Sequence, residues 1–375
     1  MSVIDAKSAA TRATALHKER SQRLAAYLKD QWHDAILLYG NAWQGDYIRF
    51  ATGFGCVEGH VLALVHADGA VQLYVESPEE AERASADCPW LEARWSPDVI
   101  GEVDAALARL GNARVGVAPR GLMPYRFAAR PLADATAGFD ALMMQMGKAE
   151  QDAVRRASDL ADRGYQVFMQ AARIGRPEYA LIADIEAFFR AQGCADNFMI
   201  LGSGGVEVRG MHPPGERKIQ KGDLITTELT PCVDGYYAQI CRTLVIGPPN
   251  EIQRRAFALF KESFEAGFAA VKPGATAADV AKAENDVFRK YGLGKYTTSD
   301  YTRVRGHGLG LFPDAKPQLL EDVTTPLIAG MALVVHPNTY HPEAGYMVFG
   351  DTVIVNDGGA EAITKTPREL FSVSG

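Results

Sequence analysis

ITTELTPCVDGYYAQICRTLVIG, residues 225–247, decides the fold. Two arms rich in Ile, Thr, Leu and Val flank Gly235-Tyr236-Tyr237, the pattern of two strands joined by a tight turn. Polar groups recur along the arms, at Thr226, Thr227, Glu228 and Thr230 in the first and at Gln239, Cys241, Arg242 and Thr243 in the second. Such positions suit ligands presented from neighbouring strands, yet only Glu228 is a carboxylate. The stretch therefore reads as a metal site whose ligands have been exchanged.

Outward from it, the chain divides. Residues 12–35 read as a helix, followed by the strand AILLYG and by HVLALVHADGAVQLYVE, a strand pair with Asp-Gly at its turn. NARVGVAP continues the strand pattern, so residues 1–148 are expected to form an α/β domain. From about Glu150 the spacing becomes that of a long helix, which opens a second domain, 149–375. This half carries an echo. GRPEYALIADIEAFFRAQG, residues 175–193, and GATAADVAKAENDVFRKYG, residues 274–292, are both opened and closed by glycine. Glycine commonly closes helices, and the repeat points to a duplicated αβ half with a site between the copies.

Bulk properties narrow the function. A chain of 375 residues, 47% hydrophobic and 23% charged, can build substantial cores. A net charge of −7 without a basic tract argues against nucleic-acid binding. No apolar run reaches the length of about 18 residues needed to span a membrane, and the first residues lack a signal-peptide core. Cys56, Cys88, Cys194, Cys232 and Cys241 form no CxxC pair. That usage fits reduced thiols and a cytoplasmic protein.

KGDLITTELTPCVDGYYAQICRTLVIG, RGHGLG, AGMALVVHPNTY and GDTVIVNDGGAEAIT, in this order, resemble the C-terminal domain of the creatinase/prolidase/methionine-aminopeptidase family. The resemblance implies a pseudo-symmetric pita-bread domain behind a smaller N-terminal domain, and a homodimer in which the N-terminal domain contributes to the neighbouring site. Metal-dependent members hold two ions with two Asp, one His and two Glu. On this alignment those positions carry Glu228, Gln239, His307, His336 and Gly350. A neutral amide and a missing side chain disfavour two adjacent divalent ions. Glu228, His307 and His336 would still suit a single ion.

The resemblance to creatinase implies instead a metal-free, cofactor-free reaction in which His212 carries the proton. An imidazole titrates near neutrality and can both take and return it. Glu228, His307 and His336 would share the catalytic site, with Phe54, Glu58, Arg209, Gln239, Cys241, Arg305 and Tyr340 around the substrate. Cys241 and His336 replace the two acids that would grip creatine, and Phe54-Gly55-Cys56 lacks the arginine expected for its carboxylate. The expected activity is thus hydrolysis of a C–N bond in a small non-peptide amide or amidine, by a non-peptidase. Alternatives are a mononuclear-metal hydrolase, an elimination enzyme, and a non-catalytic pseudoenzyme whose pocket binds a ligand or protein.

Overall fold

The computed structural model describes residues 6–374; residues 1–5, part of the opening stretch read for a leader, lie outside the described residues. Among the described residues no helix is long and apolar enough to cross a membrane. The chain forms two compact units, whose described parts are residues 6–143 and 144–374.

The first unit is built on a six-stranded sheet. Its Ala35–Asn41 strand lies between His60–His66, antiparallel, and Val115–Ala118, parallel. Leu37, Leu62, Leu64, Val103 and Phe127 share one buried cluster. The opening helix runs Ala6–Asp30 rather than over 12–35, because Trp32 adopts a positive φ of 56° and breaks it ahead of the first strand.

The second unit contains the duplication. Helices Lys148–Ala171 and Glu178–Ala191 cover one sheet, and helices Glu251–Ala270 and Ala277–Lys290 cover the other. Gly193 and Gly292 follow the second helix of each pair with φ of 79° and 73°. That left-handed backbone is why both repeats close on glycine. The fold is the mixed α/β pita-bread arrangement, with pseudo-twofold αβ halves.

In the first half, the strand order is Phe371–Val373, Ile240–Ile246, Leu224–Val233, Asn197–Gly204. Side chains alternate across a strand. Ile225 and Leu229 accordingly pack with the helices, while Glu228 takes the opposite face, in register with Ile200 on one side and Cys241 on the other. In the second half, Ala332–Val335 lies between Gly306–Gly308 and Asp351–Asn356.

The two sheets are joined at a seam. Cys241 and Gly350 exchange both backbone hydrogen bonds, at 3.1 and 3.0 Å. Thr243 and Thr352 extend the join, their hydroxyls donating to the carbonyls of Val348 and Gln239 at 2.9 and 2.8 Å. At its centre Arg242, fully buried, donates to Asp351 Oδ1 at 2.7 Å and to the carbonyls of Gly350, Cys241 and Thr366. Arg368 donates to the second Asp351 oxygen at 2.7 Å.

Removing one partner of a buried pair strands a charge. Asp351→Ala is expected to lower stability by about 3–5 kcal/mol in equilibrium urea unfolding. Arg155→Ala, at the exposed pair with Glu361, should cost less than about 1 kcal/mol. Equal effects would remove the seam from its structural role.

Candidate active site

Glu228 is presented from the middle of its strand, 8% exposed. Its Oε1 accepts a 2.7 Å hydrogen bond from Asn338 Nδ2. The amide cannot be turned around, because Asn338 Oδ1 accepts from the Phe349 N–H at 3.0 Å. Burial pushes the Glu228 carboxyl up to about 7; Asn338 opposes the shift, and the nearby charge of Asp314 adds to it.

Next to Glu228 in the ladder stands Cys241, fully buried. Burial and then the Glu228 charge raise its thiol well above the usual range, so it is a small polar neighbour rather than a nucleophile. Gln239 Nε2 points to Cys241 Sγ at 3.4 Å, and its backbone is engaged by Thr352. Gly350 follows across the seam. A Cβ there would lie 2.6 Å from the Cβ of His336 and 2.6 Å from the Val335 carbonyl oxygen. The room beside position 350 is thus already filled.

His307 and His336 meet edge to face, ring centroids 5.4 Å apart. Burial lowers both imidazoles, His336 well below its usual value, with His307 and Arg305 adding to that effect. His307 Nδ1 lies 2.9 Å from the Gly308 carbonyl. A carbonyl only accepts, which places the proton on Nδ1 and leaves Nε2 as an acceptor. His336 Nδ1 is buried with no hydrogen-bond partner. Among the described residues, no three His, Cys, Asp or Glu side chains come together as a metal cluster.

Arg305 lies beneath these groups, fully buried. It donates to the Asn338 carbonyl at 2.9 Å and to the Thr302 carbonyl, and its own carbonyl accepts from the His336 N–H. It therefore supports the strand end carrying His336 and Asn338. Tyr340 donates its hydroxyl to the Val206 carbonyl at 2.8 Å, and the exposed Arg209 lies 5.7 Å from its ring centroid.

His212 is exposed, its ring Nδ1 2.9 Å from the Pro213 carbonyl, while its backbone pairs with Leu201. Phe54 and Glu58 belong to the other unit. Phe54 is buried under the Arg83 guanidinium, 4.2 Å away, and Glu58 is exposed, with its carbonyl accepting from the Cys56 thiol. Tyr236 and Tyr237 donate to Glu150 and Asp196 as structural ties.

Two residues of the cluster escaped the sequence reading. Asn338 stands in VVHPNTY as a polar residue within a buried run, a signal that its burial alone could have raised. Asp314 comes within 3.6 Å of His307 Nδ1. It follows an irregularity in the register at His307/Gly308, so strand periodicity does not project it onto the site.

Comparison with known proteins places these features. The pattern of metallopeptidase family M24 matches residues 152–357, and that of the creatinase/prolidase N-terminal domain matches residues 20–138. A probable dipeptidase PepE from Mycobacterium bovis is 30% identical over 303 residues, covering 78% of each chain. An Xaa-Pro dipeptidase from Pyrococcus furiosus is 29% identical over 226 residues, 60% of this chain and 64% of that relative's length. The crystal structure of dipeptidase PepE from Mycobacterium ulcerans superposes with a TM-score of 0.80 at 26% identity, covering 96% of this chain and 99% of that one.

These relatives correct the functional expectation. Their names are those of dipeptidases, which overturns the assignment to a metal-independent, non-peptidase hydrolase of small amides or amidines. That expectation gave the exchanged ligand positions more weight than the extent of the likeness, which covers both domains. The chain belongs to metallopeptidase family M24, with an N-terminal domain of the creatinase/prolidase type.

Proposed function

We propose that this protein hydrolyses short peptides, dipeptides foremost, with Glu228 as the proton acceptor. The carrying observation is a single buried carboxylate at the seam, fixed by an amide of settled orientation and pushed up to about 7. The dipeptidase names of the relatives supply the substrate class.

The two-ion centre implied by the family does not fit the residues present. Gln239 offers an amide turned to Cys241, and position 350 has neither a side chain nor space for one. Glu228 is left as the one carboxylate among the five family ligand positions, and one acid cannot offset two adjacent divalent charges.

The chain's own groups support the following proton path. With Oε1 held by Asn338, the other Glu228 oxygen accepts a proton from water as the water oxygen attacks the peptide carbonyl carbon. When the C–N bond breaks, the same oxygen returns that proton to the departing nitrogen. A base with a pKa near neutrality is matched to this exchange. His307 and His336, kept neutral by burial, line the site as acceptors. His212, exposed on its loop, is the second proton carrier in this reading. A homodimer and a cytoplasmic location, carried by the family resemblance and by the five free cysteines, complete it; sedimentation reads the first directly.

Incubation with a dipeptide panel, followed by chromatography of the released amino acids, is expected to show turnover. Glu228→Gln should lower kcat/KM by about 10²–10⁴-fold with an unchanged circular dichroism spectrum. No turnover of any dipeptide, or full activity in the variant, would refute the assignment.

The sign of the pH dependence follows from the base role. Below a pH of about 7 Glu228 is protonated and cannot accept, so log kcat/KM should rise with pH and level off above that value. A profile flat down to about pH 5, near the ordinary Glu value, would contradict the role.

A further inference from the structure

The cluster around Glu228 is rich in acceptors and has few free donors. Arg305 directs its terminal nitrogens at the carbonyls of Asn338 and Thr302, Asn338 Nδ2 is committed to Glu228, and Gln239 Nε2 to Cys241. Free or partly free acceptors remain at His307 Nε2, at the unpartnered His336 Nδ1, whose residue is 5% exposed, and at the rim carboxylate of Asp314.

Asp314 has the geometry of an anchor. Gln318 Nε2 donates to its Oδ1 at 2.6 Å, which steadies the carboxylate, and the same oxygen lies 3.6 Å from His307 Nδ1. Its side chain is 61% exposed, so it can meet an incoming ligand while partly retaining its hydration. Its charge is felt by both Glu228 and His307. The Glu228 and Asp314 carboxylates, together with the acceptors at His307 and His336, favour a ligand group that carries positive charge and several N–H donors. A primary ammonium has three such donors and one charge.

We propose that Asp314 binds the protonated amino terminus of the substrate and so makes the site selective for peptides with a free amine, His336 Nδ1 accepting from the same group or from the adjoining amide. This rests on the short-peptide reading and adds to it the residue that selects the substrate's charged end. Asp314 is a specificity residue here, and the proton-transfer step remains with Glu228.

The test uses a ketomethylene analogue of a dipeptide, which has no amide to cleave, with its amine either free or acetylated. Calorimetric titration of the full-length protein is expected to show the free-amine form bound at least about tenfold more tightly than the acetylated form, the scale of a partly exposed charge-assisted contact. Asp314→Asn, which keeps the side-chain shape and an oxygen for Gln318, should abolish the preference by weakening only the free-amine form. Asp314→Glu should retain most of it.

A preference unchanged in Asp314→Asn, no preference in the wild type, or binding of neither form would overturn the proposal. Because the analogue is not cleaved, amine selectivity in a protein that turns over no dipeptide would support Asp314 while refuting the hydrolytic reading. Dipeptide turnover with an Asp314-independent preference would do the reverse.

Discussion

The structure of the second unit depends on the join between its two sheets. Cys241 and Gly350 close it through the backbone, and Arg242 with Asp351 secures it from within the core. A buried ion pair gains little over a well-packed apolar substitute unless its remaining hydrogen-bonding groups are satisfied. Here Arg242 meets three carbonyls besides Asp351, only its Nε being left without a partner, and Arg368 supplies the second Asp351 oxygen. The arrangement fixes the register of one sheet against the other. The ladder within the first sheet sets Glu228 next to Cys241, and the join brings the strand end carrying His336 and Asn338 alongside.

That geometry ties function to the absence of a side chain. With glycine at 350, the His336 Cβ occupies space that any larger residue would need. On the family alignment, the exchanges at 336 and 350 each remove a carboxylate. They thereby reduce the negative charge of the site, leaving Glu228 buried without an adjacent cation to hold its proton off. Its raised pKa follows from burial, and the Asn338 amide is too weak a counterweight to restore an ordinary carboxylate. On the reading proposed above, such a site is suited to exchanging a single proton.

Much of the fold was legible because the signals were local. The glycine-bounded repeats follow from the left-handed turns at Gly193 and Gly292, and the Leu224–Val233 and Ile240–Ile246 strands follow from their β-branched runs. Glu228 stood out as a carboxylate in a strand-like run, whereas His307 and His336 were picked out by the family resemblance. The end of the first helix was less legible, since nothing in the composition around Trp32 announces its positive φ. Asn338 and Asp314 were missed for a related reason: one lies just beyond a strand and the other past a break in register, and periodicity carries no information across either. The peptide substrate class emerged only from whole-chain likeness, because exchanged ligands say what a site has lost without saying which substrate it kept.

One buried carboxylate, titrating near neutrality, is proposed to do the proton transfer in this pocket. The direct measurement is a pH titration of Glu228 itself, following its side-chain carboxyl carbon by NMR in protein labelled with ¹³C-glutamate and assigned by loss of the signal in Glu228→Gln. A midpoint near 7 is the predicted result. A midpoint at the ordinary glutamate value of about 4.3 would show a carboxylate fully ionised at neutral pH and would contradict the account.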